Sequence, residues 1–154
     1  MVWILALLIG VVCGLRSMTA PALVCWGAHL GWLNLTGSPL AFLRHPIALI
    51  LFTLAAIGEL IADKLPIIPR RTTPGPLIVR ILLGALSGAA LAIAGHAPLA
   101  AGAILGGAGG VLGAYAGYAW RRATSGSGRI SDLPVALLED LVAIVGGIFL
   151  ISRF

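Results

Sequence analysis

Charge is what this chain has least of. Only 10% of its residues are Asp, Glu, Lys or Arg, against roughly 25% in soluble domains. With 60% of its residues apolar, that scarcity excludes a water-soluble globule and leaves an integral membrane protein. There are two cysteines, Cys13 and Cys25, in apolar segments, without CxxC spacing or a histidine at ligand distance. They read as small buried hydrophobes rather than redox or zinc ligands. The three histidines, His29, His45 and His96, include no pair at i,i+4 spacing, so no helical histidine pair is available to a metal. A basic n-region is also missing before Met1-Val2-Trp3-Ile4, and the apolar run continues past any cleavage point. It reads as a retained membrane segment and not a signal peptide.

Carboxylates are the rarest charge, five against ten Lys and Arg. On a soluble chain the excess of base would suggest nucleic acid. Here the bases lie beside predicted span ends, where anionic headgroups and topology account for them, so no nucleic-acid partner is expected. A span needs about 20 mostly apolar residues. A chain of 154 residues therefore has room for four to six crossings and reads as one integral membrane domain, 1–154. Two weaker halves, 1–65 and 77–154, would be joined by the basic, proline-rich loop 66–76.

Along the chain, residues 2–15 are apolar but make only about 21 Å of helix, short of a hydrocarbon core of about 30 Å. Gly14-Leu15-Arg16-Ser17-Met18-Thr19-Ala20-Pro21 follows, then a second short apolar run, 22–33. Proline removes a backbone donor and Ser or Thr re-satisfies freed groups, so Arg16–Pro21 reads as a broken helix or re-entrant turn. Residues 2–33 then cross once or twice. Residues 34–46 read as a loop, and 47–65 as a span stopped by Pro66 and Pro69. Further spans are expected over 77–95 and 99–120, joined by a tight turn at His96-Ala97-Pro98. A polar loop, 121–133, precedes the last span, which opens at Ser131-Asp132-Leu133-Pro134 and runs to Ile151. Gly102, Gly106, Gly110 and Gly113 clear one face of the 99–120 helix for close packing on neighbours or on a second copy. The GxGxxG-like spacing within it follows no strand and is no dinucleotide site. Trp3, Trp26, Trp32 and Trp120 read as interface anchors.

Four of the five acids form two pairs inside apolar runs: Glu59 with Asp63, and Glu139 with Asp140. Charge at membrane depth is costly and faces a protein interior or a wet cavity. Glu59 and Asp63 share a helix face at i,i+4, whereas Glu139 and Asp140 point about 100° apart. Arg70 and Arg71 lie in one basic loop, Arg121, Arg122 and Arg129 in another two crossings later. The positive-inside rule places loops 66–76 and 121–133 in the cytoplasm and all four acids on one level, each glutamate about 9 Å in. Arg16, Arg80 and Lys64 are the expected charge partners, and Ser17 and Thr19 line the broken segment.

The blocks Gly14 to Pro21, Gly58-Glu59-Leu60-Ile61-Ala62-Asp63-Lys64-Leu65-Pro66, Arg71 to Pro76 and Asp132 to Asp140 span nearly the whole chain. Together they resemble a family of small bacterial inner-membrane proteins catalogued as domain of unknown function 4126. The resemblance implies a compact multi-span protein of the bacterial inner membrane, groups Arg16, Glu59, Asp63, Lys64, Glu139 and Asp140 into one motif set, and carries no activity.

Three readings of the acids follow. In the first, Glu59, Asp63, Glu139 and Asp140 bind a proton or cation in a transport or channel-like protein, since clustered carboxylates suit proton coupling and hard cations. In the second they are structural, pairing with Arg16, Arg80 and Lys64 to hold the bundle in a scaffold or partner subunit. In the third they hold Mg²⁺ in an enzyme acting on a lipid phosphate, with Arg70, Arg71, Arg121 and Arg122 on the phosphate. The expectation is an all-α polytopic bundle of five or six apolar helical segments, placed in the lipid bilayer as a homodimer, with no cofactor beyond a bound cation.

Overall fold

Long apolar runs must satisfy their own backbone, and helices are the local answer to that constraint. A computed structural model describes residues 1–62, 73–125 and 132–154. It contains α1 (Val2–Leu15), α2 (Thr19–His29), α3 (Pro46–Ala62), α4 (Pro74–Ala94), α5 (Leu99–Ser125) and α6 (Asp132–Ile151), with a 3-10 turn at Ala41–Arg44. No strand occurs among the described residues. The molecule is all-α, as expected. Helices α4, α5 and α6 contain apolar stretches long enough to cross a membrane, and α1 and α3 are shorter apolar helices.

The expected break is present and narrower than proline suggested. Helix α1 stops at Leu15, where Arg16 turns extended (φ −138°, ψ 108°) while its N–H still bonds the Val12 carbonyl. Helix α2 opens at Thr19, so Pro21 lies in its first turn. There a missing N–H leaves no helical bond unmade, because the first four N–H groups of a helix have no partner within it.

Residues 2–29 form a hairpin of two helices. Gly10 and Gly14 of α1 lie against Gly106 and Gly110 of α5 in the same order, which makes α1 and α5 parallel. Gly27 of α2 meets Ile151 and Leu23 meets Gly147, so α2 runs parallel to α6. Val2, Gly95 and Phe154 gather at one end of the bundle, and the hairpin tip at 16–18 points to the other. With 14 residues in α1 and 11 in α2, the arms are about 21 and 16 Å long, each shorter than a bilayer core.

Two expected loops are shorter than their polarity implied. Pro74-Gly75-Pro76 belongs to α4, because the fixed φ of proline suits a first helical turn. Helix α5 runs five residues beyond Trp120 to Ser125, since Arg and Ala are strong helix formers whatever their polarity. Arg121 and Arg122 therefore stand on a helix. Asp63, Lys64, Arg70, Arg71 and Arg129 lie outside the described residues.

Glycine sets the closest contacts. On α5, Gly102, Gly106 and Gly110 face Gly88, Gly84 and the Arg80 backbone of α4, while Gly109 and Gly113 face Leu7, Gly10, Val11 and Gly14 of α1. A methyl group on Gly106 would fall on the Gly84 carbonyl and within 2.9 Å of the Gly88 Cα. Backbone-to-backbone approach of this kind replaces the hydrophobic drive that lipid removes. It makes α1, α4 and α5 the most extensively packed group of helices, so the glycine face is filled from within the chain. Thermal unfolding in detergent tests this. Gly106→Ala is expected to destabilise by about 1–3 kcal/mol through overpacking. Gly146→Ala, on α6 with no atom within 4 Å of the added carbon, is expected to stabilise by about 0.5–1 kcal/mol. Equal changes at the two positions would contradict the contact account.

Candidate functional site

An interrupted helix creates two backbone problems at once. The last carbonyls of α1 and the first N–H groups of α2 lose helical partners, and the N-terminus of α2 carries a partial positive charge. A capping Ser, Thr, Asp or Asn usually supplies an oxygen from within the chain's own turn. Here the capping position is Met18, which makes no side-chain capping bond. The oxygens come from another helix. Glu59, near the end of α3, accepts the Ser17 N–H on Oε1 and the Met18 N–H on Oε2, both at 2.8 Å. On the carbonyl side, the Cys13 thiol donates towards the Ser17 carbonyl at 3.3 Å and the Arg80 carbonyl at 3.6 Å. Cys13, read from sequence as an apolar filler, thus also helps close the break.

Arginines meet each of Glu59, Asp140 and Glu139. Arg80 of α4 is buried, with Nη2 3.8 Å from Glu59 Oε1. Arg16 is fully buried and forms an ion pair with Asp140 of α6. Glu139, one residue earlier and so about 100° around the same helix, turns to α5. Its Oε2 accepts from Arg121 Nε at 3.0 Å, with only 3% of its side chain exposed. Isolated charges would not survive such burial, whereas paired and hydrogen-bonded ones do.

The arrangement has a sidedness that sequence did not suggest. All three arginines stand on the glycine-packed group, Arg16 just past α1, Arg80 on α4 and Arg121 on α5. All three acids stand outside it, Glu59 on α3 and Glu139 and Asp140 on α6. Among the described residues, these ion pairs form a seam between the two parts of the molecule, and the formal charges of these six residues balance.

Of the expected site residues, Glu59 and Asp140 meet at the break, one on its N–H groups and the other on the Arg16 side chain. Glu139 neighbours them in sequence but serves Arg121. Arg16 pairs with Asp140, and Arg80 lies beside Glu59. Ser17 contributes its N–H and carbonyl, and Thr19 is buried in the first turn of α2. Asp63 and Lys64 fall outside the described residues. Arg121, which the sequence places in a loop as a phosphate-holding residue of the enzyme reading, instead stands on α5 and pairs with Glu139; the available signal is the helical propensity of Arg and Ala. Among the described residues searched, no group of three or more His, Cys, Asp and Glu is placed to hold a metal ion. Glu59, Glu139 and Asp140 face N–H donors rather than one another.

This geometry has an energetic signature. Breaking a buried ion pair at one partner costs about 3–5 kcal/mol, while replacing both by apolar residues is often neutral or better. Arg16→Met and Asp140→Leu are each expected to lower stability in detergent by about that amount, and the double variant to regain most of it. Additive losses would show that the two side chains do not depend on each other.

No curated protein and no solved structure matches the chain. The family model described as a domain of unknown function (DUF4126) matches residues 4–152, and the chain belongs to that family.

Proposed function

We propose that this membrane-type helical protein moves protons across the bacterial inner membrane as a small transporter or channel-like protein, with the α1–α2 hairpin tip as its moving part. Discontinuous helices whose half-helix ends lie at membrane depth are a recurring device for binding and releasing solutes. The observation that carries the reading is the Glu59 cap. The N–H groups of the tip are held by a carboxylate on a separate helix, and the chain's own turn supplies no side-chain cap.

A proton suits this site better than a metal cation. Hard cations gather several oxygen ligands, whereas Glu59, Glu139 and Asp140 are each turned to N–H donors. Adding a proton to Glu59 weakens both backbone bonds and the attraction to Arg80 together, because charge-assisted bonds are about twice as strong as neutral ones. The tip of α2 is then free to take a different partner. Asp140 and Glu139 hold the same seam through Arg16 and Arg121. By the positive-inside rule, the end bearing Arg121 and Arg122 faces the cytoplasm, so the tip is reached from that side.

The balanced seam also favours a second reading, in which the pairs serve only to join the two helix groups. Flux separates the two. In liposomes loaded with a pH-sensitive dye, an imposed membrane potential is expected to drive proton entry through the wild type. Glu59→Gln, which keeps an acceptor but cannot titrate, should slow entry by about the tenfold or more that general acid–base groups contribute. Proton entry no faster than in empty liposomes would overturn the transport reading and leave the structural one.

A further inference from the structure

Helix α3 is held differently along its two halves. It begins at Pro46, directly after the 3-10 turn, and ends beside the hairpin tip, where Glu59 caps Ser17 and Met18. The first half is packed: Ala48, Leu49 and Phe52 lie against the buried core that includes Val24, Ala28 and Leu43. Beyond Thr53 that support stops. Among the described residues of this second half, Ala56 is the buried one, while Leu54, Ile57 and Ile61 are exposed. Of the described helices, α3 packs most on α2, and the Glu59 carboxylate is the main polar tie of its second half, to the tip and to Arg80.

A hydrogen bond marks the boundary between the halves. Trp26 Nε1 on α2 donates to Thr53 Oγ1 at 3.1 Å. A tryptophan that anchors a helix turns its indole N–H to the membrane interface, the role expected of Trp26 from sequence. Here the N–H is bonded near the middle of α3, about 9 Å along the helix from Glu59. Indole donates through this one atom. Polar side chains that bond across apolar helices hold those helices together, so Thr53 fixes the last point at which α3 stays beside α2 before the Glu59 cap.

We propose that α3 is a pivoting arm whose fulcrum is the packed stretch from Ala48 to Thr53, closed by the Trp26–Thr53 bond. When Glu59 releases the Ser17 and Met18 N–H groups, the helix tilts as a rigid body and its second half parts from the hairpin tip. Segments with few buried apolar contacts open most readily, and rigid tilts of one element against another are a recurrent way of switching. Thr53 is a positioning residue in this account: it does not meet the proton, and it limits the opening to the tip end. Ile61 stands about 16 Å along the helix from Ile50, so a tilt of about 15° moves Ile61 by about 4 Å and Ile50 hardly at all.

Spin labels read this directly. Ile50→Cys or Ile61→Cys on α3 is paired with Leu112→Cys on α5, and double electron–electron resonance gives each distance in the reconstituted protein. All three positions are exposed, whereas Cys13 and Cys25 are fully buried and out of reach of the label. Glu59→Gln, which keeps one acceptor oxygen for two N–H groups, is expected to lengthen the Ile61 distance and leave the Ile50 distance unchanged. Adding Thr53→Val should lengthen the Ile50 distance too, and adding Thr53→Ser, which keeps the hydroxyl, should not. Circular dichroism establishes that each variant is folded. Unchanged distances in Glu59→Gln, equal lengthening at both positions, or a Thr53→Val variant that behaves like Thr53→Ser would overturn the pivot. The proposal rests on Glu59 as the group that lets go, yet the distances are read without a proton gradient. Absence of proton entry therefore counts against transport and not against the pivot, and proton entry with unmoved labels does the reverse.

Discussion

A buried backbone N–H without an acceptor is costly, and the structure turns on how two such groups are satisfied. Interrupting the first helix after Leu15 leaves the N–H groups of Ser17 and Met18 to be bonded by something other than their own helix. Glu59 supplies both oxygens, which puts a carboxylate inside the bundle, and the carboxylate in turn calls for Arg80. The break likewise draws Arg16 inward, fully buried, and Asp140 answers it from α6. Each buried charge exists because of its neighbour, and the chain of causes begins at the interruption.

Glycine makes the interruption tolerable. Helices α1, α4 and α5 approach so closely at Gly10, Gly14, Gly84, Gly88, Gly106 and Gly110 that a methyl group at any of them would meet backbone. This group keeps its place without charge. Helices α2, α3 and α6 are joined to it and to one another less extensively, and α3 has Ala56 as its buried residue. The three ion pairs lie along the junction, arginines on the glycine side and acids on the other. Charge is thereby concentrated where the described helices are least bound by packing.

Much of this was legible in the sequence, for identifiable reasons. Apolar run lengths gave the helices, and a run of 14 residues too short to cross, followed by Arg and Pro, gave the break. The glycine spacing gave the face of α5, though only the fold shows that α1 and α4 share it. The rarity of carboxylates singled out Glu59, Glu139 and Asp140, but that the last two pair with different arginines shows only in the fold. What sequence could not give was pairing across helices. Glu59 binding backbone N–H groups leaves no trace in the identity of residues 17 and 18, because any residue except proline offers the same donor. Arg121 was hidden by a polar run that resembles a loop yet continues a helix.

The measurement that bears most directly on the central claim is the state of two amide protons. Solution or solid-state NMR of the reconstituted protein is predicted to show the Ser17 and Met18 N–H groups strongly deshielded and slow to exchange, as donors to a carboxylate. In Glu59→Ala these two should lose protection together while the Arg16 N–H, bonded to the Val12 carbonyl within α1, keeps it. Rapid exchange of the Ser17 and Met18 amides in the wild type, or protection unchanged by Glu59→Ala, would contradict the account.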